Sequence, residues 1–203
     1  IERVERVVRS LASPGKLIGL LGGEHSITTG AVRALSDVYP DLSILYLDAH
    51  ADLREEYMGT RWGHASVARR LHDLCPVVQV GVRSLSTEER GFISKARLPV
   101  FFWPLVESDS KELSSRVVEK LSARVYVSID LDVFDPSLMA AVGTPEPGGM
   151  SWDEVTGLLR AVAHSRQIVG FDVTELSPAE GPESCAYTAA KLTYRLIGYA
   201  THP

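Results

Sequence analysis

The stretch VYVSIDLDVFDP, residues 125–136, decides how the chain is read. Val125, Tyr126, Val127 and Ile129 give its first half the β-branched and aromatic character of a strand buried in a sheet. Yet Asp130, Asp132 and Asp135 crowd into the same run. An unpaired buried carboxylate costs on the order of several kcal/mol even after relaxation, so folding alone would not keep them there. A positive partner is expected at the end of this strand.

Similar β-rich runs recur at residues 16–21 (KLIGLL), 43–48 (SILYLD), 76–82 (PVVQVGV), 99–104 (PVFFWP) and 167–173 (QIVGFDV). Between them, apolar residues fall at helical spacing over 26–38, 65–74, 87–95, 109–122, 151–163 and 183–199. Strands alternating with helices of this length predict βαβ crossovers and a mostly parallel sheet in an α/β fold. There is no internal repeat or low-complexity linker, so residues 1–203 are read as a single domain. The one dense Pro/Gly stretch, GTPEPGGM at 143–150, sits between a strand and a helix, as a long active-site loop would. The chain enters directly on an amphipathic segment, IERVERVVRSLA, without a starting Met, and the expectation is that N-terminal sequence precedes it.

Bulk properties narrow the function. With 45% hydrophobic and 23% charged residues the chain can bury a full core. A net charge of -5 with scattered Lys and Arg offers no footprint for nucleic acid or an anionic membrane, and suits a small cationic or neutral substrate. No apolar run is long enough to span a bilayer. Cys75 and Cys185 are far apart and form no Cys-x-x-Cys pair, which argues against a disulfide framework or a zinc-thiolate site and for a reducing, cytoplasmic setting.

The unusual residues group at strand ends. In LYLDAHADLR (45–54), Asp48, His50 and Asp52 alternate along an expected extended segment, as do Asp130 and Asp132. In LLGGEHSITTG (20–30), Gly22 and Gly23 make a turn after a strand and His25 falls at or just before the next helix. All three groups lie at carboxyl ends of predicted parallel strands, the edge where open α/β sheets bind ligands. Four carboxylates and two imidazoles converging without cysteine favour a hard or borderline divalent cation such as Mn(II). One ion cannot neutralise four carboxylates, whereas two ions about 3.5–4 Å apart would balance the charge and activate a water. Any one Asp-x-Asp or lone His is more often structural; the combination is what carries the reading. His72, His164 and His202 do not share it and are expected to be exposed.

Taken together, GGEHS, DAHAD, SIDLDVFDP and DVTELSP resemble the ureohydrolase family of arginases and agmatinases, from about Leu17 to Tyr199, with GTPEPGG closer in wording to agmatinases. The resemblance implies a three-layer α/β/α fold with an eight-stranded sheet, of which six strands are counted here, so that N-terminal strands are expected to be lacking and KLIGLL to be left as an exposed edge. It implies two Mn(II) ions per subunit, a homotrimer or homohexamer, and hydrolysis of a guanidino group to urea and an amine. By motif, His25, Asp48, Asp52 and Asp130 would bind one ion and His50, Asp48, Asp130 and Asp132 the other, with Asp48 and Asp130 bridging. Asp135 matches a position that forms the turn or supports the ligands. His64, in GTRWGHASV, matches the histidine that shuttles a proton to the departing amine. Glu175 matches the carboxylate that holds the guanidinium, with Thr144 to orient it. Glu24 stands where many relatives have Asp and is expected to point away from the metals. Asp172 has no assignment.

Substrate choice is expected in residues 53–63, LREEYMGTRWG. Arg54 stands where arginases use Asn to grip an α-carboxylate, so arginine is disfavoured. Glu55 and Glu56 offer a negative field for a second amine, and Tyr57 and Trp62 an apolar or cation-facing wall. Agmatine, hydrolysed to putrescine and urea, is the first expectation, and guanidinobutyrate or another guanidino acid paired with Arg54 the second. Two other classes stay open: a related metal-dependent deacetylase, which would hold a single zinc, and a noncatalytic metal-binding member.

Overall fold

The structure is a computed structural model that describes residues 1–105 and 110–202. Its sheet comprises β1 (Ile18–Leu21), β2 (Leu42–Leu47), β3 (Val77–Val82), β4 (Val100–Phe102), β5 (Arg124–Asp130) and β6 (Gln167–Thr174), all parallel, in the order β1-β6-β5-β2-β3-β4. Six of the expected runs are therefore the six strands seen among the described residues. Every residue of β2 and β3 is buried, as a parallel sheet covered on both faces requires.

Helices α1 (Glu2–Leu11), α2 (Ile27–Ser36), α3 (Val67–His72), α4 (Thr87–Ala96), α5 (Ser110–Lys120), α6 (Trp152–Ser165) and α7 (Glu183–Thr201) supply the other two layers. The helix expected over 109–122 is α5; its expected first residue, Asp109, lies outside the described residues. One face of the sheet packs against α5, α6 and α7 through Leu113, Val117, Leu158, Leu159, Val162 and Leu192. The opposite face meets α1 to α4 through Val8, Val32, Leu35, Val67, Leu71 and Ile93. Two helices begin at full capping boxes, Ser86 with Glu89 and Ser151 with Glu154, which satisfy exposed backbone donors at both ends of the motif.

KLIGLL does form one edge of the sheet: β1 pairs with β6 alone, and Leu21 is 73% exposed. Two glycines bring backbone close at the strand ends. Gly81 (φ +102) sits where a Cβ would meet Val133 at 2.6 Å and the Asp48 carbonyl at 2.9 Å. Gly149 lets the 143–149 loop lie on Phe134 and Asp135, whose backbone a Cβ would meet at 2.4 Å. Both contacts bind loops onto the carboxyl edge of the sheet. His72 departs from expectation: it is half-buried at the end of α3, and burial pushes its pKa down to about 4. No described helix is long and apolar enough to cross a membrane.

Candidate metal centre

The chain leaves β2 at Leu47 and runs irregularly through 48–52, so the three acidic and imidazole groups do not sit on an extended strand as expected. His50 makes a single bridge to Ser84, and Asp52 takes a left-handed backbone with φ +52. Asp130 ends β5, whereas Asp132 lies in a 3-10 turn, Leu131–Val133, closed by its own N–H donating to Asp130 Oδ1 at 2.9 Å. The side chains converge nonetheless.

Two overlapping groups result: His25, Asp48 and Asp130 in one, and Asp48, His50 and Asp132 in the other, each with ligand atoms within 4.8 Å of one another. His25 Nδ1 stands 3.2 Å from both Asp48 Oδ2 and Asp130 Oδ2, and 3.8 Å from Asp52 Oδ2. His50 Nδ1 stands 2.9 Å from Asp132 Oδ2 and 3.5 Å from Asp48 Oδ1. Asp48 is common to both groups, whereas Asp130 belongs to the first alone and Asp52 lies just outside it, donated to by the Tyr46 hydroxyl at 2.7 Å. Backbone N–H groups steady the cluster, Ala49 donating to Asp132 Oδ1 at 3.0 Å and His50 to Asp48 Oδ1 at 2.6 Å.

The electrostatics ask for a cation. Burial pushes the carboxyls of Asp52, Asp130 and Asp132 upward, and their neighbours' negative charges push the same way. Burial opposes a charge on either histidine, but the facing carboxylates outweigh it: His25 rises well above the ordinary imidazole range and His50 is pushed up to about 11. Asp48 Oδ2 is fully buried and accepts no hydrogen bond. A carboxylate flanked by two imidazoles and left with an orphaned buried oxygen, in a set of oxygen and nitrogen donors without sulfur, fits a divalent metal.

A cavity of about 580 Å³ opens over the cluster and is lined by Glu24, His50, Asp52, Arg54, Tyr57, His64, Ser84, Ser86, Asp130, Thr144 and Glu175, among others. Glu175 has φ +64, an uncommon backbone for a residue with a side chain. The GGEHS turn holds it from two sides: Glu175 N–H donates to the Gly23 carbonyl at 2.9 Å, and its Oε1 accepts from His25 N–H at 2.6 Å. The same turn reaches His64, whose N–H donates to Glu24 Oε1 at 2.5 Å and whose Nδ1 lies 3.3 Å from that oxygen. Glu24 thus points away from the two clusters and into contact with His64, the expected proton carrier, a contact the lone Glu-for-Asp difference in the motif did not reveal.

Other expected residues are placed differently. Thr144 does not orient Glu175; its hydroxyl approaches Asp132 Oδ2 at 3.4 Å. Trp62 is half exposed, faces Arg33 at 4.8 Å and lines a separate hollow with Arg3 and Ser26 instead of the site cavity. Glu55 is engaged by Arg61, Arg69 and Arg70 and is not free to meet a substrate amine. Arg54 stays at the cavity wall, its guanidinium over the Tyr57 ring at 5.0 Å. Asp135 forms the turn; the Ser137 hydroxyl, with the N–H groups of Ser137, Gly149 and Gly148, holds its carboxyl down to about 2.

Two contributors carry no sequence signal. Arg83 donates to the carbonyls of Asp132 and Glu146 at 2.8 Å and to that of Pro147 at 3.1 Å, and so clamps the 143–149 loop beside Asp132. Buried Glu89 accepts from Leu53 N–H at 3.0 Å while capping α4, which anchors the segment after Asp52.

Residues 1–198 match the arginase family. The chain is 35% identical over 187 residues to the N(1)-aminopropylagmatine ureohydrolase of Synechocystis, covering 91% of this chain and 61% of that protein. It is 40% identical over 192 residues to the agmatinase of Pyrococcus horikoshii, covering 94% of this chain and 65% of the relative. The chain therefore spans somewhat less than two thirds of the length of these curated relatives. The solved agmatine ureohydrolase of Thermoplasma volcanium superposes with a TM-score of 0.87 at 37% identity, over 98% of this chain and 68% of that one.

Proposed function

The chain belongs to the arginase family, and from that premise we propose that it is a binuclear manganese amidinohydrolase that releases urea from a guanidino amine, with agmatine as first substrate. Asp48, common to two clusters of oxygen and nitrogen donors and with one buried carboxylate oxygen left without a hydrogen bond, carries this reading. His25, Asp48, Asp52 and Asp130 would hold one ion, and His50, Asp48, Asp130 and Asp132 the other. When bound, the ions supply Lewis-acid polarisation and a water acidic enough to attack the guanidinium carbon.

The protein's own residues do the rest. Glu175, fixed by the GGEHS turn, accepts N–H bonds from the guanidinium and sets its carbon over the cluster. Burial raises the Glu175 carboxyl, and a guanidinium beside it would restore its charged form. After water adds, the bond from that carbon to the alkyl-bearing nitrogen breaks, and the nitrogen needs a proton. His64, on the cavity wall with about half its side chain exposed, can pass one from solvent to the leaving amine. We further propose that the chain works in the cytoplasm as a homotrimer or homohexamer; light scattering of the protein checks the assembly.

Urea release is the test, with the Mn(II)-loaded protein offered agmatine, N(1)-aminopropylagmatine, arginine and guanidinobutyrate. Urea from agmatine or its aminopropyl derivative is expected. A preference for guanidinobutyrate would move the substrate to a guanidino acid paired with Arg54, which lines the cavity. No urea from any of the four would contradict the reading.

A further inference from the structure

Asp172 in β6 is fully buried and touches neither cluster directly. Three hydroxyls surround it: Oδ2 accepts from Thr28 Oγ1 at 2.8 Å and from the Tyr126 hydroxyl at 2.7 Å, and Oδ1 accepts from Ser128 Oγ at 2.8 Å. Ser128 Oγ in turn lies 2.8 Å from His25 Nε2, on the side of the ring away from Asp48 and Asp130. A serine hydroxyl carries one hydrogen. Here that hydrogen goes to Asp172, so toward His25 the oxygen can only accept, and Nε2 must carry the ring N–H. The Tyr46 hydroxyl, 3.1 Å from Nδ1, gives its hydrogen to Asp52 and does not compete for the Nδ1 lone pair.

We propose that Asp172, acting through Ser128, is a positioning residue that fixes the ring and tautomer of His25 so that Nδ1 presents its lone pair to the ion shared with Asp48 and Asp130. The inference rests on the binuclear reading and adds an asymmetry to it. Among the described residues His50 has no comparable buried chain: its Nε2 faces Glu146 Oε1 at 3.7 Å, with a quarter of its side chain exposed. One ion is therefore held by a ligand locked from behind, and the other by a ligand braced only loosely. Partners behind a metal-bound histidine commonly govern affinity by about 10- to 100-fold.

Calorimetric titration of the metal-stripped full chain with Mn(II) tests this. The wild type is expected to take two ions. Asp172→Asn and Ser128→Ala should each weaken one ion by about 10- to 100-fold and leave the other at its wild-type affinity, and Ser128→Thr, which keeps the hydroxyl, should restore the pair. If Asp172→Asn does not fold by circular dichroism, Ser128→Ala carries the comparison. Two ions bound at wild-type affinity in both variants, or equal weakening of both ions, would overturn the positioning role. A wild type that binds fewer than two ions would overturn the binuclear reading, and this inference with it, before any variant is compared.

Discussion

The two edges of the sheet handle charge in opposite ways. At the amino edge, Arg124 at the start of β5 meets Asp41 with Nη1 at 2.8 and 2.9 Å from its two oxygens, both side chains more than 40% exposed. Arg166 covers carbonyls at the ends of α5 and the turn after it, Leu121 at 3.1 Å and Val118 at 2.8 Å. Both arginines there have partners. At the carboxyl edge, Asp48, Asp52, Asp130 and Asp132 are buried side by side with two histidines, and the nearby cation, Arg83, gives its hydrogen bonds to backbone carbonyls and not to these carboxylates. The first pattern is what folding tolerates; the second persists where something other than folding requires it.

The largest effect should come from the residue common to both clusters. Asp48→Ala is expected to lose both manganese ions and all urea release, measured by metal analysis after gel filtration; retention of two ions would dissolve the contrast between the edges. Next comes His64→Ala, which should keep its metal while turnover falls by roughly 10²- to 10⁴-fold, the usual worth of a general acid-base group. An unchanged kcat would remove His64 from the reaction. Glu175→Gln should cost about 10- to 100-fold in kcat/KM, the loss of one charge-assisted bond to the guanidinium, and an unaltered value would reassign that carboxylate to structure.

The smaller effects belong to residues outside the cluster. His72 has its folded pKa near 4, below the ordinary imidazole value, because burial disfavours its charge. The unfolded chain therefore binds the proton first, so stability should fall as pH drops from about 6.5 towards 4, and His72→Gln should flatten that slope in urea melts. Arg124→Ala should change stability by no more than about 1 kcal/mol, as exposed pairs generally do; a larger loss would mean that the amino edge is not the ordinary surface described above.

Much of this was legible in the sequence. Apolar runs and helical spacing place all six strands and the helices between them within a few residues, because burial on both faces leaves a strong pattern. The six acidic and imidazole groups stand out because their chemistry conflicts with their strand-like setting. What the sequence conceals is whatever depends on contacts between distant segments. Nothing in GVRS marks Arg83 as a clamp on carbonyls some 50 to 60 residues away, and nothing in ELSP shows that Glu175 takes a left-handed backbone. Asp172 is mute in sequence for the same reason: its three hydroxyl donors come from α2 and β5. Glu55 and Trp62 mislead because loop residues of suitable chemistry were near the site in sequence but turned to other partners in space.

The most direct test counts metal. Mass spectrometric metal analysis of the gel-filtered, Mn(II)-loaded chain should give two manganese ions per chain, matching the two clusters joined at Asp48. A chain that retains none, or a single zinc in preference to manganese, would contradict the account.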